Sequence, residues 1–194
     1  MKLLILTLFV CFSLNAKIVT TSQIEEALPY IDQDTWVLVD LDNCLFEAAQ
    51  ALGHANWFYD ELMKKIAEGL TKDEAIASIY PEWVKIQKVC KVKPLEEAFI
   101  PYLISLQTKG ITIMGLTHRQ PIVADSTLKQ VASLGFDFRL TAPSQETLVI
   151  PAKTHTLYIN GILFVGDYNK KIDIFCPFLE QLNKYPTKIV FIDD

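Results

Sequence analysis

Acidic and hydroxyl side chains stand at the ends of three separate apolar runs of this sequence. They are Asp40 and Asp42, Thr117, and Asp193 and Asp194. Burying several carboxylates together without partners is costly, and a hard divalent cation removes that cost. Mg²⁺ prefers oxygen ligands, usually one or two carboxylates together with water and substrate phosphate. The pattern therefore predicts a Mg²⁺ site that handles a small phosphorylated substrate.

Two of the carboxylates, Asp40 and Asp42, stand one residue apart, which suits covalent phosphoryl transfer. A carboxylate can attack phosphorus to form an aspartyl-phosphate. A second carboxylate two residues later projects from the same side of a strand end and can act as a general acid and then as a general base. The Thr117 hydroxyl and a lysine would hold the phosphate oxygens and offset their charge.

The runs before these residues, "TWVLVDL", "ITIMGLT" and "KIVFIDD", have the composition of strands buried on both faces. Between them we expect a helix from Pro94 to Gly110, a helix that begins at Pro121, a hairpin that turns on Asn160-Gly161, and a helix over 170–185. Pro177 should kink that last helix or delay its start. This order predicts an α/β fold with a three-layer, mostly parallel, Rossmann-like sheet. Such sheets bind ligands outside the carboxyl ends of their strands.

The segment 47–93 differs from the rest of the chain. It is rich in Ala, Glu and Lys, has helical periodicity and contains no convincing strand. We expect two to four helices there, inserted as a unit into a core domain made of residues 17–46 and 94–194.

The motifs resemble those of the haloacid dehalogenase (HAD) superfamily. "DLDNCL", residues 40–45, is similar to its first motif, an apolar strand followed by Asp-x-Asp-x-Thr-Leu or Val. "ITIMGLT" resembles the second motif, which ends in Thr or Ser, and "KIVFIDD" resembles the fourth, which ends in an acidic pair. The third motif is a lysine that opens the helix before the last strand. Lys170 fits it best, and Lys171 lies next to it.

The resemblance implies a Mg²⁺-dependent phosphatase with named roles for these residues. Asp40 would be the nucleophile and a metal ligand, and Asp42 the general acid/base and a metal ligand through its backbone carbonyl. Asp193 would bind the metal with help from Asp194. The insertion 47–93 would be a cap that covers the site and helps to choose the substrate.

The resemblance also implies that Thr117 and Lys170 bind phosphate. His118 and Arg119 follow Thr117 at the same edge and complete the set of candidate phosphate-binding residues. The planar fork of Arg119 suits a phosphate, although a solvated loop cation is an equal alternative. His118 fits a loop residue better than a catalyst. Asp167, just before the lysine motif, is expected to be a loop-capping residue, with a metal ligand as the alternative.

Two departures from the family pattern favour a second hypothesis. Cys44 stands where the first motif has Thr, and the sequence stops at Asp194, where HAD domains continue with a helix and often another strand. The resemblance therefore implies a truncated core whose last strand lacks a covering element. The alternative to the phosphatase is a non-catalytic HAD-fold secreted binding or effector protein, which need not bind Mg²⁺.

The N-terminus, "MKLLILTLFVCFSLNAK", has one Lys, an apolar stretch of about a dozen residues and a small residue at its exit. This predicts a signal peptide over residues 1–16, cleavage after Ala16, and a secreted or periplasmic protein with no stable membrane span. An uncleaved N-terminal anchor is the alternative. An exported chain that carries "GLTHR" and "FIDD" resembles uncharacterised HAD-like secreted proteins of intracellular bacteria. Those proteins are related to the acid phosphatases.

The composition bounds the remaining classes. The 194 residues are 51% hydrophobic, which is enough for one domain core, and the net charge of −5 argues against nucleic acid as a partner and against a metal-dependent nuclease. Cys44, Cys90 and Cys176 remain after the signal. We expect three buried apolar side chains, with a Cys90–Cys176 bridge as the alternative. The sequence gives neither the substrate nor the oligomeric state.

Overall fold

The computed structural model describes residues 16–166 and 168–194 and shows a mixed α/β fold around a mostly parallel sheet. The strands are β1 (Thr35–Val39), β2 (Phe46–Ala48), β3 (Val92–Pro94), β4 (Thr112–Thr117), β5 (Leu157–Ile159), β6 (Ile162–Phe164) and β7 (Lys188–Ile192). The α-helices are α1 (Ala55–Ala67), α2 (Lys72–Gln87), α3 (Phe99–Thr108), α4 (Ala124–Ser133) and α5 (Lys171–Leu182). Short 3₁₀ helices cover Ile24–Tyr30, Pro121–Val123 and Phe138–Thr141.

Five strands form the central sheet in the order β5-β6-β4-β1-β7. The strands β6, β4, β1 and β7 are parallel, and β5 is the antiparallel hairpin partner of β6. The hairpin turns at Asn160 and Gly161, whose φ angles of 50° and 78° are those of the expected primed turn. The predicted mixed α/β class and the mostly parallel sheet are confirmed.

Helices cover the sheet on both faces because its strands alternate between two cores. Val37 and Val39 of β1 belong to a core shared with α3 and α4, whereas Leu38 belongs to a core shared with α5. A strand buried on both faces needs apolar residues at successive positions, which explains the continuous apolar run in "TWVLV".

The helices α1 and α2 form a separate unit between β2 and β3. Leu62, Ala75 and Ile79 are the buried residues of its own small core. The strands β2 and β3 pair in an antiparallel two-stranded ribbon at the base of the unit. The expectation of two to four helices is confirmed, but the expectation of no strand at the ends of this segment was wrong, because each end supplies a strand to the ribbon.

Two other expectations need correction. The helix expected from Pro94 begins at Phe99, because Pro94 is still in β3, opposite Phe46. Pro177 lies inside α5, which begins at Lys171, so of the two expected effects of this proline the delayed start does not occur and the kink stays a prediction. The strand β7, one of the two outer strands of the sheet, is not buried on both faces, because Ile189 and Phe191 are exposed.

The expected signal peptide lies outside the described residues except for Ala16, and Asp167 also lies outside them. Within the described ranges, no helix combines the length and apolar character needed to cross a bilayer.

Candidate active site

The register of the sheet brings three of the predicted site positions to one edge. Val39, the last residue of β1, lies beside Gly115 of β4 and beside Ile192 of β7. The next residue, Asp40, donates its backbone N–H to the Ile192 carbonyl over 2.9 Å. Asp40 therefore lies between Thr117 and Asp193 at the carboxyl ends of parallel strands, as expected for an α/β sheet.

The loop after β1 folds back on itself and holds the first motif against β7. Asn43 has a φ angle of 57°, a conformation that Asn tolerates, and its N–H donates to the Phe46 carbonyl over 3.0 Å. The Cys44 thiol is buried and lies 3.5 Å from the Ile192 carbonyl. Burial and the nearby carboxylates of Asp40 and Asp193 raise the pKa of Cys44 to about 12, so this thiol is a packing group rather than a nucleophile.

Three carboxylates converge at the edge. Oxygens of Asp40, Asp193 and Asp194 lie within 4.8 Å of one another. Asp40 is only 7% exposed, whereas the other two face solvent. Burial raises the pKa of Asp40 to about 6, against the lowering effect of Lys171 and with a further rise from Asp193. This oxygen-only donor set fits a hard cation such as Mg²⁺.

Lys171, and not Lys170, is the lysine beside Asp40. The Lys171 ammonium lies 2.9 Å from an oxygen of Asp40 and 2.8 Å from an oxygen of Asp193, and its side chain is 12% exposed. Burial alone would lower the pKa of Lys171, but its hydrogen bonds to Asp193 and Asp40 raise it, so the group is a cation. Lys170 is exposed one residue before α5, so the preferred assignment moves to the next residue.

Asp42 lies beside this cluster but is paired with Arg119. The Nε and Nη2 groups of Arg119 each donate to a different oxygen of Asp42 over 2.7 Å. The carboxylate of Asp42 is not a member of the metal-type cluster. The role expected of Asp42 in metal binding belongs to its backbone carbonyl and stays a prediction.

Arg119 is 4% exposed and makes a set of contacts that the sequence did not predict. Its Nη1 donates to Thr127 over 2.9 Å and to Gln130 over 2.6 Å, and its Nη2 also donates to Gln87 over 3.0 Å. With the two bonds to Asp42, these contacts use all five guanidinium N–H groups. Arg119 is therefore neither the solvated loop cation nor an open phosphate contact. No sequence motif marked Gln87, Thr127 or Gln130.

Thr117 and His118 differ in exposure although they are adjacent. Thr117 is 1% exposed, and its hydroxyl oxygen accepts the Arg119 backbone N–H over 3.1 Å. The hydroxyl can still donate its own proton to a phosphate oxygen, because that bond uses only a lone pair. His118 is exposed at the rim of the edge.

The cysteines of the described residues, Cys44, Cys90 and Cys176, are free, so the alternative of a Cys90–Cys176 bridge does not hold in this structure. Cys44 and Cys90 are buried as expected, but Cys176 is exposed on α5. The expectation of three buried thiols was therefore wrong for Cys176.

Comparison with known families matches residues 17–194 to one family, described as "Protein of unknown function (DUF2608)". The chain belongs to this family. The match covers every strand and helix of the fold, including the inserted unit and the whole candidate site.

The DUF2608 chain is similar to chlamydial proteins with the name "Putative outer membrane protein". A protein of Chlamydia pneumoniae is 33% identical over 167 residues, which cover 85% of this chain and 62% of that protein. A protein of Chlamydia trachomatis is 29% identical over 90% of this chain and 65% of its own length, and one of Chlamydia muridarum is 30% identical over 93% and 68%. The matched region thus spans less than two thirds of the first two relatives. No solved structure shows a significant match.

Proposed function

We propose that this DUF2608 protein is a Mg²⁺-dependent, HAD-type phosphatase that hydrolyses a phosphomonoester through an aspartyl-phosphate at Asp40. One observation carries most of the proposal. The buried Asp40 carboxylate lies 2.9 Å from the Lys171 ammonium and shares a carboxylate cluster with Asp193 and Asp194 at the carboxyl edge of a parallel sheet. A nucleophile, an oxygen-rich cation site and a fixed positive charge are the parts that phosphoryl transfer needs.

Asp40, Asp193 and Asp194 would hold the metal ion, together with the Asp42 backbone carbonyl. Mg²⁺ would supply positive charge to the phosphate oxygens as charge develops on them. Lys171 now spans two of the three carboxylates, so its ammonium would shift toward the phosphate when the cation binds. Thr117 would donate its hydroxyl proton to the same group.

The chemistry requires two steps on Asp40. In the first, an Asp40 oxygen attacks phosphorus, the bond to the leaving oxygen breaks, and Asp42 gives that oxygen a proton. In the second, Asp42 takes a proton from water, the water oxygen attacks phosphorus, and the bond between the Asp40 oxygen and phosphorus breaks, which frees the Asp40 carboxylate and inorganic phosphate. Each Asp42 oxygen accepts one N–H of Arg119 and keeps a second lone pair for the proton.

The inserted unit of α1 and α2 is proposed as the cap. It stands on the β2–β3 ribbon, which begins at Phe46, four residues after Asp42. A unit with its own small core that is attached this close to the nucleophile loop can cover the edge and restrict which substrates enter. The proposed substrate is a small phosphorylated molecule.

A second candidate function is a non-catalytic HAD-fold binding or effector protein. Arg119 engages both oxygens of Asp42, and Lys171 bridges Asp40 and Asp193. These ion pairs give three of the four carboxylates at the edge a cationic partner from the protein itself, which is compatible with a binding module that holds no Mg²⁺.

Export is proposed together with the phosphatase. The family match begins at residue 17, directly after the expected cleavage position, and the chlamydial relatives carry the name of outer membrane proteins. We propose a signal peptide over residues 1–16 and a mature protein in the periplasm or outside the cell.

The test is hydrolysis of an aryl phosphate by the purified chain with and without Mg²⁺. We expect Mg²⁺-dependent turnover that is lost in Asp40→Asn and kept in Asp34→Asn, a matched change at an exposed carboxylate before β1. Turnover that persists in Asp40→Asn would exclude the proposed nucleophile. A folded wild type with no turnover would favour the binding protein.

A further inference from the structure

Arg119 lies where three parts of the molecule meet. Its guanidinium contacts Asp42 in the loop after β1, Thr127 and Gln130 of α4, and Gln87 at the end of α2. The first two parts belong to the sheet domain, whereas α2 belongs to the inserted unit. The buried arginine therefore connects the proposed acid/base directly to the proposed cap.

Gln87 is the residue of α2 that hydrogen-bonds Arg119. Its side chain is nearly inaccessible, with 2% of the residue exposed. The carboxamide oxygen accepts from Arg119 Nη2 over 3.0 Å and from Gln130 Nε2 over 3.3 Å. The Gln87 backbone carbonyl also accepts from Gln130 Nε2, over 3.2 Å. The last turn of α2 is thus held to both Arg119 and α4.

The same helix also places an aromatic ring next to the guanidinium, and a second ring comes from β2. The Trp83 ring of α2 has its centre 5.6 Å from the Arg119 guanidinium carbon, and the Phe46 ring lies at 5.1 Å. Both distances are within the range of a cation–π contact. The packing of α2 against the sheet domain therefore provides Arg119 with both a hydrogen bond and an aromatic contact.

A buried guanidinium is stable only when its N–H groups are bonded, since each unpaired buried donor carries a desolvation cost. The group is planar and rigid, so its five N–H groups move together. If Gln87 is removed, one Nη2 hydrogen loses its partner. Rotation of the plane toward water would then withdraw the Nε and Nη2 groups from the two Asp42 oxygens.

We infer that Gln87 is a positioning residue: it orients Arg119, and Arg119 in turn orients Asp42. Docking of the inserted unit and alignment of the acid/base are therefore one event. This inference rests on the proposed phosphatase. It assigns to the cap a contribution to the chemical step besides substrate choice. Removal of the Gln87 oxygen therefore lowers kcat more than it raises KM.

The test compares Gln87→Met, which keeps the side-chain length but removes the acceptor, with Gln87→Glu, which restores an acceptor oxygen toward Arg119. We expect kcat for the aryl phosphate to fall by about tenfold or more in Gln87→Met, with a smaller change in KM, and to recover in part in Gln87→Glu. The matched control is Gln107→Met, a half-buried glutamine of α3 that bonds the Asp137 carbonyl and lies outside this network. Equal kinetic effects of Gln87→Met and Gln107→Met would overturn the inference.

A double-mutant cycle with Asp42→Asn separates positioning from general damage to the fold. If Gln87 acts through Asp42, Gln87→Met has no further effect on kcat in the Asp42→Asn background. An equal loss of kcat in both backgrounds would overturn the inference.

The same cycle measured by urea unfolding does not depend on activity. We expect the changes in unfolding free energy caused by Gln87→Met and by Asp42→Asn to be non-additive in the double variant, because both side chains contact the same guanidinium. If the two changes in unfolding free energy are additive and the wild type is active, the inference about Gln87 is overturned and the proposed phosphatase stands. Absence of turnover in a folded wild type would overturn the proposed phosphatase and with it the catalytic role of Gln87.

Discussion

Asp40 carries the central chemical assignment, and its surroundings act on its charge in opposite directions. Burial disfavours the carboxylate, Lys171 favours it, and Asp193 disfavours it again, with the result that the pKa of Asp40 is raised to about 6. At neutral pH the group is ionised but poorly solvated. Such a carboxylate gains much from a cation that replaces the missing water.

Metal binding should therefore be coupled to the proton of Asp40. Mg²⁺ binds the ionised carboxylate of Asp40. At or below about pH 6, where the raised pKa leaves much of Asp40 protonated, metal binding must therefore release a proton. We expect proton release and weaker apparent Mg²⁺ affinity as the pH falls through about 6, and neither effect at about pH 8. Calorimetry in buffers of different ionisation enthalpy measures the proton count. Asp40→Asn should show no release in this window, and equal affinity of the wild type at about pH 5 and about pH 8 would contradict the assignment.

The two neighbouring lysines provide a matched pair of variants. Lys171→Met removes the ammonium that contacts Asp40 and Asp193, whereas Lys170→Met removes an exposed one. Loss of a fixed charge that stabilises developing negative charge typically costs about 10²–10³-fold in kcat. We expect that loss for Lys171→Met in steady-state turnover and little change for Lys170→Met. The reverse order would return the role to Lys170.

At the scale of elements, the sequence predicted those strands and turns whose signals are local. The apolar run of β4 was placed within one residue, and Asn160-Gly161 forms the expected turn. The start of α3 was misplaced because Pro94, which can open a helix, instead pairs with Phe46 in the ribbon. The sequence could not decide between Lys170 and Lys171 for a similar reason. Adjacent positions at a helix start point about 100° apart, and only the packing of α5 fixes which one faces Asp40.

The hairpin offers a stability test at this scale. Gly161 and Gly135 both have φ angles near 80°, where any L-residue is strained by about 1–2 kcal/mol. A Cβ at Gly161 would also lie 2.8 Å from backbone atoms of Phe138, whereas at Gly135 nothing lies within 4 Å. We expect Gly161→Ala to lower the free energy of unfolding clearly more than Gly135→Ala in urea titrations. Equal losses would mean that the approach of Phe138 to the turn carries no cost.

At the scale of the whole molecule, two units with separate cores are joined through buried polar contacts. The sequence indicated the insertion 47–93 from its composition, and it indicated Asp40, Thr117 and Asp193 from the ends of apolar runs. It could not indicate that Arg119 would be buried. That burial depends on Gln87, which is 32 residues away in sequence, and on Thr127 and Gln130 of the following helix, and all three are polar residues that look like ordinary surface positions. Long-range polar networks leave no periodic signal in a single sequence.

The whole account depends on a covalent bond between Asp40 and phosphorus. The most direct measurement is mass spectrometry of the Asp42→Asn variant, acid-quenched after mixing with Mg²⁺ and an aryl phosphate. The aryl leaving group departs without a proton, but hydrolysis lacks its general base, so the intermediate should accumulate. We predict one phosphoryl group on the peptide that carries Asp40 and none in the Asp40→Asn, Asp42→Asn double variant. A folded protein with no phosphoryl group on Asp40, or with one on another residue, would contradict the account.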